Sequence, residues 1–218
     1  MNLKLFYDFE TTGLPLYSEP SGDPRQPHIT EIGARLIDVG TAAAPRNSII
    51  STLSVIVKPE GWVIPDDVVA LNGITTEFAQ QVGIPEKLAI EMLLAMWHAA
   101  NERVAHNEPF DCRIGRIAIK RLLQDDALAD EWKAAPAYCT ATQATNLVQV
   151  PKAKGNGWKR PTLGEAFRHF THRDHVDAHR ALPDVDASIA VYLGIRSAET
   201  PAAGSVVDAE YREVGETA

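Results

Sequence analysis

Asp8 and Glu10 stand two residues apart at the end of an apolar run, Leu3-Lys4-Leu5-Phe6-Tyr7, and if that run is a strand both carboxylates share one face. Leu3, Leu5, Tyr7 and Phe9 then point the other way. Like charges side by side are tolerable when a cation lies between them or when one takes up a proton, and hard divalent ions such as Mg2+ prefer oxygen ligands of this kind. Thr11-Thr12-Gly13 turns the chain just beyond, the glycine allowing backbone to approach a ligand closely. Taken alone the pair equally suits a polar strand end entering a loop, since Asp-x-Glu is a common spacing.

Two further acidic positions and one histidine could join that pair. In His106-Asn107-Glu108-Pro109-Phe110-Asp111 the aspartate falls in the first turn of a helix that follows a short apolar strand, and in His179-Arg180-Ala181-Leu182-Pro183-Asp184 a loop histidine precedes another helix-start aspartate. Acids are favoured at helix starts by the macrodipole alone. A histidine in a loop is ordinarily solvated, but it titrates near neutral pH and can accept and return a proton there.

The elements that must position these groups read as one α/β domain. Ile29 to Val39 and Ile49 to Val57 have strand character and form a β-meander with the first strand; Pro15 to Pro27 is a Pro/Ser/Gly loop over the sheet end. Ile64 to Leu71 suggests a short helix ending at Asn72-Gly73. Pro85 to Arg103 predicts a helix with Leu88, Met92, Leu93, Met96 and Trp97 as a core stripe. Val104-Ala105-His106 is a short buried strand, Pro109 to Leu123 a helix, and Tyr138-Cys139-Thr140 the end of another strand before helix at Ala141 to Leu147. Thr162-Leu163-Gly164-Glu165 is a capping box opening a helix to about Phe170, and the last helix begins near Pro183 and runs to Gly194.

With 218 residues, 45% apolar and 23% charged, the chain has the composition of a soluble globular protein. It shows neither a signal-peptide pattern nor an apolar stretch long enough to span a bilayer. Cys112 and Cys139 lack metal or disulfide spacing and suit a reducing compartment, so a cytoplasmic location is expected. The net charge of −8 disfavours nucleic acid until its distribution is considered. About half of it lies after Arg196, where five acids face Arg212 alone, and this 196–218 segment is expected to be a disordered tail following a 1–195 domain. Between Pro151 and Arg180 the balance reverses, with Lys152, Lys154, Lys159, Arg160, Arg168, Arg173 and Arg180 outnumbering Glu165, Asp174 and Asp177. Such a run can meet phosphates, or simply be a solvated face.

Together, Asp8-Phe9-Glu10-Thr11-Thr12-Gly13, Asn107 to Asp111 and His179-x-Ala181-x-x-Asp184 resemble the three motifs of the DEDDh family of 3′–5′ exonucleases in order, spacing and context. Thr30-Glu31-Ile32-Gly33 resembles that family's second strand, and Asn72-Gly73-Ile74-Thr75 a segment in which Asn72 stands where the family commonly has histidine. The resemblance covers about residues 1 to 195. It implies a ribonuclease H-like fold, a mixed five-stranded sheet flanked by helices, with two Mg2+ or Mn2+ ions held by Asp8, Glu10, Asp111 and Asp184. Two such ions about 3.5–4 Å apart activate water and steady a leaving oxygen. By the same likeness His179 takes the proton of the attacking water. The backbone of Glu10 to Thr12, with Gly13, meets the 3′-terminal nucleotide; Leu14 wedges against its base; Asn107 and Phe110 line its site, Phe110 otherwise packing in the core. Charge alone suggests Lys159, Arg160 and Arg180 as phosphate contacts.

The expected partner is nucleic acid with a 3′ end, single-stranded DNA being favoured, with hydrolysis to nucleoside 5′-monophosphates. An exoribonuclease is the alternative within the enzyme class, the choice turning on accommodation of a 2′-hydroxyl. A catalytically silent docking subunit is the alternative outside it, although clustered carboxylates without a cation have no physical reason to persist. A zinc site from His169, His172, His175 and His179 lacks the cysteines that usually close one. The acidic tail is a candidate docking segment for a protein partner, and no membrane association is expected.

Overall fold

The N-terminal run folds into a strand, β1 (Leu3–Thr11), whose alternate side chains enter two different cores. In this computed structural model, which describes residues 1–41, 44–176 and 178–199, Leu5, Tyr7 and Phe9 join the larger core, while Phe6 joins Ile37, Val104, Val185, Ile189 and Tyr192 in a second. Asp8 and Glu10 follow Phe6 at even spacing and share its side of the pleat.

Strands β2 (Ile29–Gly40), β3 (Pro45–Lys58), β4 (Ile84–Pro85), β5 (Glu102–Ala105) and β6 (Ala137–Cys139) complete a six-stranded sheet of order β4-β3-β2-β1-β5-β6. The meander β1-β2-β3 is antiparallel and the remaining pairings are parallel, giving the mixed sheet expected. The strand beyond the expected five is β4, two residues laid against Val57 and Lys58 and too short for any periodicity to show. β1 is central, which is why it carries apolar residues on both faces short of its acidic end.

Helices α3 (Glu86–His98), α4 (Glu108–Ala118) and α5 (Asp126–Ala134) cover the Leu5 face. Helices α6 (Thr140–Val148), α7 (Leu163–Thr171) and α8 (Ala181–Glu199) lie on the Phe6 side, with α8 against the sheet and α6 and α7 packed on α8 through Ala144, Ala166, Val191 and Ile195. Helices α1 (Asp66–Asn72) and α2 (Thr76–Val82) close a small cluster of Ile64, Ile74 and Ala79. Trp132 is fully buried beside Tyr7 and Trp97, close over Gly115, where any Cβ would meet its ring at 2.8 Å.

Several boundaries differ from the sequence-based expectation. The helix expected over Pro85 to Arg103 stops at His98, and Arg103 belongs to β5, where it is buried, lies 4.2 Å over the Trp132 ring and pairs with Glu108 at 3.1 Å. On α3 the core is formed by Ala89, Ile90, Leu93, Leu94 and Trp97, whereas Leu88 and Met92 of the expected stripe are exposed. The Pro109–Leu123 helix is realised as α4 continued by a π-helical turn, Ile119–Leu123, ending at left-handed Gln124. Helices α2 and α5 were not expected, although Thr75 and Asp125 cap them through Phe78 N–H and Leu128 N–H. The Thr162 capping box is present in both directions, at 3.2 and 2.8 Å.

The last helix starts at Ala181 and reaches Glu199, so the boundary expected at 195/196 falls inside it. The acidic segment 200–218 and Asp177 lie outside the described residues. Among the described residues no helix is long and apolar enough to cross a membrane.

Candidate active site

Asp8 faces Gly33, and Glu10 faces Glu31, in the β1–β2 ladder. Between them the N–H of Phe9 donates to Asp111 Oδ1 at 3.3 Å, which ties the first turn of α4 to the strand at the point where the first two carboxylates emerge. The turn before α4 is made at Asn107, held in the left-handed conformation (φ 72°), a conformation asparagine tolerates better than most residues.

Asp184 reaches the same place by a different anchor. Glu31, buried in β2, accepts from Arg180 Nε at 3.0 Å, Arg180 Nη2 at 2.9 Å and Ala181 N–H at 3.0 Å. Gly33 leaves room for the start of α8: a Cβ there would sit 2.4 Å from the Ala181 carbonyl carbon. One turn on, Arg35 of β2 holds Asp186 of α8 at 2.5 and 2.9 Å. The helix is therefore seated with Asp184 in its first turn turned toward Glu10.

His179 sits just ahead of α8, exposed, at φ 67°. Its backbone N–H donates to Asp184 Oδ2 at 3.1 Å, leaving the ring free of that bond, and ligand-type atoms of Glu10, His179 and Asp184 lie within 4.8 Å of one another. A second histidine, His175, places Nε2 against Asp184 Oδ1 from a largely buried position beside Phe167.

The electrostatics of this cluster are those of anions short of a counter-charge. Burial and then the charge of Asp111, followed by Asp184, Glu10 and Glu31, push the Asp8 carboxyl well above the usual range. Burial, then Asp184 and Glu31, raises Glu10 to about 7, against the opposing pull of Asn72 and Arg180. Burial likewise raises Asp111, opposed by the Phe9 N–H, and raises Asp184, opposed by His175 and His179. The donor set, mostly hard carboxylate oxygen with one imidazole, fits a hard divalent cation.

The residues expected to meet substrate are distributed around this centre. Thr11 Oγ1 donates to the Gly13 carbonyl at 2.8 Å; Thr12 and His28 exchange two hydrogen bonds of 2.9 Å, closing the neck of the loop that follows. Nothing would crowd a Cβ at Gly13, and Leu14 is 74% exposed. Phe110 is half-buried against the larger core. The three cations singled out by charge are each engaged: Lys159 with Glu165 at 2.6 Å, Arg160 with Asn107 Oδ1 at 3.2 Å, and Arg180 with Glu31. Among the described residues, His169, His172, His175 and His179 do not converge on a common point; the one metal-type grouping contains His179 alone of the four.

Sequence reasoning assigned no site role to two contributors. Glu31 lies in the Thr30–Gly33 segment that carries part of the resemblance, which is a usable signal; His175 has none, since its contact with Asp184 arises only when the loop folds over α8. Asn72 is 6% exposed and accepts Ile74 N–H at 2.9 Å through Oδ1; its buried amide nitrogen has no hydrogen-bond partner, and the side chain opposes the rise of Glu10.

A family model described as RNase T, exonuclease, matches residues 5–192. No curated protein matches the sequence. Among solved structures, E. coli Exonuclease I in complex with a dA16 oligonucleotide superposes with a TM-score of 0.64 at 18% identity, over 90% of this chain and 41% of that one. The zinc-bound form of the E. coli Exonuclease I–single-stranded DNA complex gives 0.64 at 19%, over 91% and 41%. The chain thus spans well under half the length of these relatives, and the likeness is one of fold.

Proposed function

The chain belongs to the RNase T exonuclease family, and from that premise we propose that it is a DEDDh-type 3′–5′ exonuclease that removes nucleoside 5′-monophosphates from single-stranded DNA. The observation that carries this reading is the grouping of Glu10, His179 and Asp184, whose ligand-type atoms lie within 4.8 Å of one another, beside Asp8 and Asp111, whose buried carboxyls are raised further by acidic neighbours. These four would hold two Mg2+ or Mn2+ ions. When bound, the ions supply charge to the scissile phosphate and lower the pKa of a water.

The protein's own groups supply the rest. Water attacks the phosphorus that joins the last two nucleotides, its proton passing to a ring nitrogen of His179, and the P–O3′ bond breaks with its electron pair on O3′, which takes a proton from solvent to leave a new 3′-hydroxyl. That ring is exposed while its backbone is pinned by Asp184, so it can accept the proton and release it to solvent without moving the carboxylates. The open space beside Gly13 and the exposed Leu14 would receive the terminal nucleotide, the leucine against its base. Single-stranded DNA is favoured because the Exonuclease I relatives are bound to such oligonucleotides.

The test uses 5′-labelled DNA and RNA oligomers of matched sequence, single-stranded and duplex, with Mg2+, with a chelator, and with Asp8→Ala. A ladder shortened from the 3′ end, fastest on single-stranded DNA and lost with chelator and in the variant, is expected. Shortening from the 5′ end, or undiminished cleavage by Asp8→Ala, overturns the proposal, and faster RNA degradation replaces DNA by RNA as substrate.

A further inference from the structure

Between α6 and α7 the chain makes a small hairpin that the hydrolysis does not use. Pro151 and Trp158 pair across an antiparallel bridge, Lys159 N–H donates to the Val150 carbonyl at 2.9 Å, and Lys152 N–H donates to the Gly157 carbonyl at 3.3 Å. Gly155 (φ 78°) and Gly157 (φ 94°) supply the left-handed turn that folds it back.

The root of this hairpin is fastened beside the carboxylates. Arg160 Nη1 donates to Asn107 Oδ1 at 3.2 Å, and His106 Nε2 lies 3.0 Å from the Pro161 carbonyl oxygen. His106 and Asn107 are the junction from which α4 delivers Asp111, so the arm stands on the rim of the site. What it shows to solvent differs from the rest of the surface. Lys152 and Lys154 are exposed, and among the described residues neither has a carboxylate within ion-pairing distance, whereas Lys159 at the root is neutralised by Glu165. Trp158, opposite Pro151 and so on the root side of both lysines, leaves 41% of its surface bare.

In a chain of net charge −8, unpaired ammonium groups on the same hairpin as an open indole suit a partner that carries both regular anionic charge and flat rings. A nucleic-acid strand has both, its phosphates meeting the lysines and a base lying on the ring. An acidic peptide or a lipid surface offers the charge without the stacking partner.

We propose that the Val150–Lys159 hairpin is an arm that holds the single strand upstream of the reacting end, Trp158 stacking on a base and Lys152 and Lys154, nearer the tip, pairing with neighbouring phosphates. The proposal rests on the exonuclease reading and deepens it. It also replaces Lys159 and Arg160 as phosphate ligands: those two fix the arm, and the free cations are further out.

The experiment compares a long 5′-labelled oligothymidylate with the p-nitrophenyl ester of thymidine 5′-monophosphate, which is too short to reach the arm. Trp158→Ala should raise KM for the oligomer about tenfold, leave hydrolysis of the ester unchanged, and be largely rescued by Trp158→Phe. Lys152→Ala with Lys154→Ala should flatten the slope of log Kd against log salt by roughly 1.4, read by fluorescence anisotropy in chelator. Unchanged KM, anisotropy and salt slope in both variants, with wild-type shortening intact, overturn the arm alone. Wild-type protein that binds the oligomer through Trp158 and the lysines yet never shortens it retains the arm and overturns the exonuclease reading.

Discussion

The guanidinium of Arg180 grips the carboxylate of Glu31 through Nε and Nη2, at 3.0 and 2.9 Å, and Ala181 N–H joins it at 3.0 Å. A residue of β2 thereby fixes the segment that carries both His179 and Asp184. Glu31→Ala should lower kcat by about 100-fold, the scale expected when catalytic groups are misplaced by about an ångström, with circular dichroism unchanged. Glu31→Gln keeps an acceptor for Ala181 N–H and should recover much of the loss. Equal kcat in wild type and Glu31→Ala would show that the clasp does not position the site.

Replacing Asp8 by asparagine should separate stability from activity. The Asp8 carboxyl is raised by burial and by Asp111, Asp184, Glu10 and Glu31, so its ionised form is unfavourable in the metal-free protein. Asp8→Asn is expected to abolish cleavage while raising the metal-free melting temperature by a few degrees, at roughly 2–4 °C per kcal/mol for a chain of this size. A lowered melting temperature in chelator would contradict the crowding of these acids.

Metal-free stability should fall as pH rises toward neutrality. Glu10 is raised from 4.5 to about 7, so between those values the folded protein binds the extra proton and unfolding releases it; stability is greatest below the unfolded pKa and declines through the folded one. That interval, at about 1.4 kcal/mol per pKa unit, corresponds to roughly 3 kcal/mol from Glu10, with Asp8, Asp111 and Asp184 acting in the same sense. Mg2+ should therefore raise the melting temperature more at pH 8 than at pH 5.5. Differential scanning fluorimetry across pH, with and without Mg2+, decides it; a flat metal-free profile is the contrary result.

Gly33→Ala should damage the site from a distance. The added methyl would meet the Ala181 carbonyl carbon at 2.4 Å and the Leu182 nitrogen at 2.5 Å, both backbone atoms, and overpacking of this kind costs about 1–3 kcal/mol. Loss of activity should accompany a lowered melting temperature, because α8 must move away from β2. Retention of both would mean that helix and strand have slack there.

His179→Ala should leave the fold untouched, since the ring is exposed and only the backbone is bonded to Asp184. Cleavage should drop by about 10²–10⁴-fold. The pH–rate profile should lose the limb belonging to the base, and a variant that retains the wild-type profile would assign proton transfer elsewhere.

The groups most legible in the sequence were those fixed by short-range rules. Asp8 and Glu10 share a face because a strand alternates, and Asp111 and Asp184 open helices whose starts are marked by Pro109 and Pro183. The substrate-side cations were not legible: Lys159, Arg160 and Arg180 looked free in a basic run, and Glu165, Asn107 and Glu31 engage them only after the chain has folded. The exposure of Leu88 and Met92 was equally hidden, because a stripe at helical spacing does not say which of two adjoining arcs meets the sheet. Glu31 and Arg180 are far apart in sequence, and their clasp is a product of where β2 and α8 meet.

Thr12 and His28 bind each other directly above the last rung of the β1–β2 ladder, Thr11 with Ile29. Gln26, buried inside the enclosed stretch, bonds back to Leu16, Glu19 and Pro20, while Leu14 and Tyr17 stand outside it. Arg113 and Arg116 of α4 and Arg121 of its π-helical continuation bind the same segment from the other side, at the Glu19 carbonyl, Ser21 Oγ and the Gln26 and Pro27 carbonyls, so it is fastened to the sheet end and to that helix alike. Side chains can therefore be exchanged at the outer crown, Leu14 and Tyr17, while the Gln26 bonds, the arginine anchors and the strand pairing beneath keep their alignment.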